Sequence, residues 1–148
     1  MKLRPALALV LLAAVAACGG GGKKTSSTTP PPAAQAAVTT AWEAFFNPAG
    51  TVDDHIALLQ NGAAFRAEIT ASQKDPTAKN LSAKVTTVVV TGTTAAVTYN
   101  LLGAGGSVLL NGAEGQAVEV NGHWLVSKTT YCQLISLQNP TAKHPGCA

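Results

Sequence analysis

The chain has 148 residues, a formal net charge of +3 and only 11% charged residues, whereas 47% of its residues are hydrophobic. Four of the ten basic residues lie within the first 24 positions, so from Ala33 onward six basic residues face all seven acidic ones, a balance of −1. This excludes a basic surface for a nucleic-acid backbone, and the remaining length suits one domain with one core.

The first seventeen residues have the three parts of a secretory signal. Lys2 and Arg4 form the basic region, Leu7 to Val15 the apolar stretch, and Ala16 and Ala17 the small residues before a cleavage site. The apolar stretch is shorter than the ~20 residues that cross a bilayer, so it does not predict a membrane span. We expect this segment to be removed on export.

The residues around the expected cleavage site, Val15-Ala16-Ala17-Cys18, resemble the bacterial lipobox. The resemblance implies a diacylglycerol on the Cys18 thiol and a further acyl chain on its amino group. At ~0.8 kcal/mol per buried CH₂, two or three chains anchor a protein stably where one holds it marginally. The implied location is the extracellular face of the cell membrane, with a shed or secreted form beside it. An ordinary signal with an incidental cysteine is the alternative.

Residues 18–34 have the composition of a tether. Gly19 to Gly22, two lysines and "TSSTTPPPAA" show no apolar periodicity that could build a core. Glycine and serine predict a flexible first part, and Pro30 to Pro32 predict an extended polyproline stretch.

Apolar residues spaced three and four apart predict a first helix from Gln35 to Phe46, which Asn47 to Gly50 end. Thr51 is a favourable N-cap for a second helix, because Asp53 and Asp54 follow in its first turn. This second helix is predicted to place three apolar residues on one face: Ile56, Leu59 and Ala63. A short third helix and a turn follow.

After Leu81 the chain is rich in β-branched residues, which predicts strands in "KVTTVVVTG", "AAVTYNLLG" and "GQAVEVNGHWLVSKTTYC". Asn121-Gly122 predicts a two-residue type I′ hairpin, because that turn needs positive φ at both positions. The expected cross-strand pairs are Val118 with Leu125, Glu119 with Trp124, and Val120 with His123. Helices followed by an antiparallel sheet predict an α+β fold with the helices on one sheet face.

This order resembles the NTF2-like or cystatin-like cone, in which helices pack on a curved antiparallel sheet. More closely, "AWEAFFNPAGTVDDHIALLQNG" and "EGQAVEVNGHWLVSKTTYC" are similar to the low-molecular-weight secreted antigens of mycobacteria and their actinobacterial lipoprotein relatives. The resemblance covers roughly residues 33–137. It implies an exported or surface-attached domain with no assigned biochemical activity and no catalytic residues to carry over.

The three cysteines divide by position. With Cys18 assigned to lipid, Cys132 and Cys147 remain as an even pair in an oxidising compartment, and we expect a disulfide between them. This bond would pin the tail, residues 138–148, to the end of the last strand of the domain at residues 35–137. A reactive thiol pair or an intermolecular bridge is the alternative.

The candidates for chemistry do not form a catalytic set. Adjacent helical residues such as Asp53, Asp54 and His55 point about 100° apart, so they do not converge on a metal ion. We expect His123 and His144 to be exposed polar residues. The resemblance to cone enzymes implies an acid or a hydroxyl group on the first helix, and that helix offers neither at the matching positions. We therefore predict no cofactor, no metal and no enzyme.

The sequence favours a membrane-anchored, non-catalytic domain that interacts with an unidentified protein partner and does not bind nucleic acid. Its alternative is a carrier of a small apolar or amphipathic ligand in the cone, and an isomerase- or hydrolase-type enzyme ranks last. Large ring-bearing residues are the candidates for a ligand pocket, although core packing is the commoner role of such residues. They are Trp42, Phe45, Tyr99, Trp124 and Tyr131.

Overall fold

The structure, a computed structural model, describes residues 32–148. The predicted signal segment and Cys18 lie outside these residues. The helices are α1 (Pro32–Phe45), α2 (Val52–Ala57), α3 (Arg66–Lys74) and α4 (Lys128–Gln138). The strands are β1 (Ser82–Thr91), β2 (Thr94–Leu102), β3 (Val108–Val120) and β4 (His123–Val126). The first helix begins three residues before its predicted start, because proline is favourable in the first turn of a helix.

The strands form one antiparallel sheet in the order β1-β2-β3-β4, so the fold is α+β as predicted. Helix α1 contacts both β1 and β4, the two outer strands. A single helix about 10 Å wide reaches both ends of a four-stranded sheet only where the sheet curves around it. The resulting shape is compatible with the cone suggested by the sequence.

The hairpin between β3 and β4 has the predicted turn and register. Asn121 has φ 52° and Gly122 has φ 77°, which are the positive values that a type I′ turn requires. The three expected pairs are all present: Val118–Leu125, Glu119–Trp124 and Val120–His123. The two turn residues therefore predicted the register of this hairpin correctly.

The sheet face that meets the helices is marked by β2, where Ala95, Val97, Tyr99 and Leu101 are buried and alternate with more exposed residues. Helix α1 presents its buried face to them through three residues: Val38, Trp42 and Phe45. The opposite sheet face carries exposed residues such as Val89. Hydrophobic alternation in the last hairpin alone did not distinguish the two faces.

The second helix begins as predicted and ends early. Thr51 Oγ1 accepts a hydrogen bond from Asp54 N (3.2 Å), and Asp54 Oδ2 accepts one from Thr51 N (2.9 Å). The predicted continuation through Leu59 is wrong, because the chain leaves the helix after Ala57 and Leu59 pairs with Val126 of β4. The backbone at 58–60 thereby forms hydrogen bonds with the outer edge of β4. An uninterrupted helix would leave these backbone groups of β4 without partners.

The largest correction concerns "SKTTYC", which the sequence pattern assigned to a strand. Strand β4 ends at Val126, and Lys128–Gln138 form a helix. Ser127 Oγ caps this helix by accepting a hydrogen bond from Thr130 N (3.2 Å). The local cap outweighs the β-propensity of the following threonines and tyrosine. Cys132 therefore lies on α4 rather than at the end of a strand.

The Cys132–Cys147 disulfide is present, with an S–S distance of 2.04 Å and a sequence separation of 15 residues. In the chain-entropy model a closed loop of this size contributes about 3 kcal/mol of stability. The bond holds the tail against α4. Within the tail, Gly146 is buried so closely against Phe65 that a Cβ atom there would lie 2.5 Å from the ring.

Replacing Gly115 with alanine should destabilise the fold by about 1–3 kcal/mol, because a Cβ atom there would lie 2.6 Å from Trp42 Cη2 and 2.8 Å from Thr130 Cγ2. Glu114→Ala, at the exposed neighbouring position, should change stability by no more than about 0.5 kcal/mol. Urea unfolding of both variants measures the difference. Equal stabilities would contradict the close approach of Trp42 to the sheet.

Candidate functional site

A cavity of about 200 Å³ lies where the end of α1 meets α3 and α4. Its walls are mostly apolar, and none of the described residues that line it is aspartate or glutamate. The apolar lining consists of Phe45, Phe46, Ile69, Leu81, Leu101, Tyr131, Leu134 and Ile135. The polar lining includes His55, Ser72, Gln73, Lys79 and Gln138. A mainly apolar wall with a few polar groups is typical of a small-molecule site.

Aromatic contacts fix the shape of the wall. The Tyr131 ring meets Phe45 edge-on at a centroid distance of 5.8 Å and meets Phe65 at 5.0 Å. Phe45 in turn meets Phe46 edge-on at 5.1 Å. Edge-to-face pairs of this kind contribute about 0.5–1.5 kcal/mol each beyond burial, so these rings form a rigid wall.

His55 holds the loop after α1 in place. Its Nδ1 lies 2.7 Å from the carbonyl oxygen of Phe45, which can only accept a hydrogen bond, so Nδ1 carries the proton. The other ring nitrogen, Nε2, lies on the side of Gly50. Gln73 Nε2 donates to the oxygen of Gly50 at 2.8 Å and fixes the other end of the loop. The Nδ1 proton therefore has a structural partner.

Burial keeps both tyrosines of the chain neutral. It raises the pKa of Tyr99, and together with the nearby Glu68 carboxylate it raises the pKa of Tyr131. Near neutral pH both hydroxyl groups are therefore protonated and able to donate a hydrogen bond. Neither phenol has the depressed pKa that a general base or nucleophile would need.

The structure separates the five residues predicted for a pocket. Phe45 and Tyr131 line the cavity, whereas Tyr99 lines a groove on another side of α4. Trp42 and Trp124 line neither of these two sites and are buried in the core. For the two tryptophans, the structure thus agrees with core packing, the commoner role of such residues.

Sequence reasoning did not identify several wall residues. Ile135 and Leu134 belong to α4, which the pattern assigned partly to a strand, and Leu101 comes from the end of β2. Helical spacing from Tyr131 to Leu134 and Ile135 was an available signal. It was obscured by the β-branched residues that precede it.

The Asp53-Asp54-His55 segment divides among three partners. Asp53 pairs with Arg66 at 2.7 Å, Asp54 caps α2, and His55 bonds to Phe45. Among residues 32–148 no three His, Cys, Asp or Glu side chains are grouped so that they could hold a metal ion. The three adjacent residues thus have separate structural roles.

The two remaining histidines differ. His123 is exposed at the hairpin, as predicted, whereas His144 is half-buried and its Nε2 atom is buried without a partner among the described residues. The prediction that His144 is exposed was wrong. The disulfide draws the tail onto the core and carries this side chain inward with it.

The two tyrosines give a test of burial by alkaline titration. Because the folded pKa values are raised, the neutral form is favoured in the folded state, and stability is lost as pH rises above the unfolded value of about 10. Tyrosinate absorbance should therefore show no ordinary midpoint in the folded chain and one near 10 in urea. The Tyr99→Phe and Tyr131→Phe variants show which tyrosine gives each rise in tyrosinate absorbance. An ordinary midpoint before unfolding would contradict the burial of that ring.

Comparison with known proteins identifies the family. The model of the low molecular weight antigen MTB12, C-terminal domain, matches residues 30–142, which is more than half of the chain. No curated protein and no solved structure matches the sequence. Between residues 32 and 148, no helix has the length and apolar character needed to cross a membrane. The chain therefore belongs to the MTB12 low-molecular-weight antigen family, as the sequence predicted, and is a secreted-antigen-like protein without an assigned activity.

Proposed function

We propose that the protein is a lipid-anchored extracytoplasmic binding domain whose cavity beside Tyr131 accepts a small apolar ligand. The observation that carries this proposal is the apolar cavity of about 200 Å³, with no carboxylate among the described residues that line it. Membership of an antigen family supports an extracellular or secreted location.

The size of the cavity limits the ligand. Sites for drug-sized molecules usually measure about 300–1,000 Å³, whereas apolar cavities of ~150 Å³ already hold a benzene ring. At about 200 Å³ the cavity suits a single ring or a short aliphatic segment. His55, Gln73 and Gln138 are polar residues of the lining that could orient such a ligand.

The chemistry of the lining favours binding over catalysis. General acid–base catalysis needs a group whose pKa lies near the working pH, usually with a second group to orient it. Tyr131 stays protonated because burial raises its pKa, and the Nδ1 proton of His55 is held by the carbonyl oxygen of Phe45. These groups can position a ligand, but they are not paired with a carboxylate in the lining.

The proposed anchor rests on the residues before and at Cys18. A basic, an apolar and a small-residue region precede the cysteine, and a Gly/Ser/Thr/Pro segment follows it up to α1. Acyl chains on this thiol would hold the domain at the outer face of the membrane. The cavity would then face the envelope rather than the cytoplasm.

Cys18→Ala should move the protein from the membrane fraction to the soluble or secreted fraction, because it removes the acceptor for lipid. Fractionation of an actinobacterial host expressing the full chain, followed by mass spectrometry, measures both location and acyl mass. Ser26→Ala is the matched control: it changes the segment after Cys18 and leaves both the proposed anchor and the Cys132–Cys147 bond in place. Membrane association of the Cys18→Ala protein would rule out the lipid anchor.

Ala78→Leu should fill part of the cavity, because Ala78 lies in its wall and is only half-buried. Toluene, used as a single-ring probe, should raise the Tm of the unmodified chain, since a ligand of the folded state stabilises it. The variant should bind roughly tenfold more weakly, because the added atoms overlap the ligand. Tm measured against toluene concentration gives both affinities.

Ala57→Leu is the control for this experiment, because it makes the same change at an exposed position of α2 outside the cavity. It should leave the response to toluene unchanged. Equal responses from all three proteins would place toluene elsewhere and contradict the proposed site.

A further inference from the structure

The charged side chains around the cavity beside Tyr131 are of one sign. Among the described residues that line it, the basic ones are Lys79 and His55, and none is aspartate or glutamate. The Nδ1 atom of His55 already has the carbonyl oxygen of Phe45 as its partner. A ligand in this cavity therefore meets one lysine and no carboxylate of the wall.

Lys79 lies at the mouth of the cavity. It belongs to the single helical turn Ala78–Asn80, which lies between α3 and β1. Its neighbours Ala78 and Leu81 also line the cavity and are half-buried, whereas Lys79 is exposed. The lysine is thus the solvent-facing part of a wall segment whose other lining residues are apolar.

Lys79 has no acidic partner in the part of the chain that the structure describes. The two ion pairs there involve other side chains. The nearest acid along the chain is Asp75, whose carboxylate accepts hydrogen bonds from Thr77 N at 2.7 Å and from Ala78 N at 3.1 Å. Asp75 is therefore engaged by its own turn, and the Lys79 ammonium group can pair with an anion that a ligand brings.

Glu68 determines which end of the cavity favours an anion. Burial and, after it, the Glu68 carboxylate raise the pKa of Tyr131, so this acid lies near the ring although it is not part of the lining. Tyr131 is only 7% exposed. Because like charges repel, an anionic group is disfavoured at this buried end and favoured at the exposed Lys79.

We propose that the cavity binds a single-ring carboxylate, with the ring against Phe45 and Tyr131 and the carboxylate paired with Lys79 at the mouth. This inference rests on the proposed function, because it names the class of ligand for the same cavity. A volume of about 200 Å³ accommodates one ring. At the exposed mouth the carboxylate keeps part of its hydration, so its burial costs little free energy.

Neutral groups of the lining fit the same ligand. The Ser72 hydroxyl and the Gln138 amide belong to the cavity wall, and both groups can donate hydrogen bonds to a carboxylate oxygen. A single-ring amine would instead place its cation beside Lys79 and would find no carboxylate among the described lining residues. A ring without a charge would fill the apolar space and gain no ion pair.

The test compares benzoate, benzylammonium and toluene as probes of the full chain carrying Cys18→Ala, which lacks the thiol for attached lipid and needs no detergent. Tm against ligand concentration, at neutral pH and low salt, gives each affinity. Benzoate should bind more tightly than benzylammonium. In Lys79→Gln it should bind about two- to fivefold more weakly, the effect of one exposed ion pair, whereas toluene binding should stay unchanged.

Lys79→Glu reverses the charge at the mouth and should therefore reverse the preference, so that benzylammonium binds more tightly than benzoate. Lys143→Glu makes the same change in net charge at an exposed residue outside the cavity lining, and it should leave the affinity for benzoate unchanged. Circular dichroism checks that each variant is folded.

The three probes separate a failure of the ligand class from a failure of the proposed function. Saturable toluene binding together with an unchanged benzoate affinity in Lys79→Gln and Lys79→Glu would overturn the ligand class and leave the apolar site in place. Equal losses in Lys79→Glu and Lys143→Glu would also overturn it, because they would assign the effect to net charge. If none of the three probes binds, the proposed function fails and the ligand class fails with it.

Discussion

The contact between Trp42 and Gly115 is the constraint on which the rest of the structure depends. The indole of α1 lies so close to β3 that a Cβ atom at residue 115 would meet it at 2.6 Å. Only glycine at residue 115 leaves enough room for α1 to pack this closely against the curved sheet. Because α1 lies this close, it contacts both outer strands. Trp42 Nε1 is buried without a partner among the described residues. Burying this N–H group without a hydrogen bond costs free energy, which the dense packing around the indole must offset.

A second set of contacts joins the sheet to α4 at the same point. Thr130 Oγ1 accepts a hydrogen bond from Gln116 N at 2.8 Å, and the Thr130 methyl group also lies against Gly115. Ser127 completes the connection, because its backbone N–H donates to Gln116 O. The buried polar groups of this junction are thus paired with one another, which fixes the direction in which α4 leaves the sheet. That direction creates the space on both sides of the helix.

Local rules predicted the parts of the fold that local chemistry determines. The Asn121-Gly122 hairpin, with its register, and the Thr51–Asp54 cap follow from turn geometry and from short-range hydrogen bonds. The early end of α2 depends on Leu59, whose partner Val126 is distant in the sequence. The formation of α4 depends on the Ser127 cap, which competes with the β-propensity of the residues that follow it. The candidate cavity depends on those same elements. Its aromatic wall could therefore be anticipated, but its position and its α4 residues could not.

The disulfide acquires a more specific role once Cys132 is placed on α4. Cys147 is joined to one side of this helix, and Gly146 packs on Phe65, which meets the Tyr131 ring at 5.0 Å. The tail thus connects α4 to the loop region before α3 by a covalent bond and a close contact. Because the cavity and the groove both use α4, any rotation of this helix would reshape them together. The bond therefore does more than restrict the unfolded chain: it holds the one helix that both sites share.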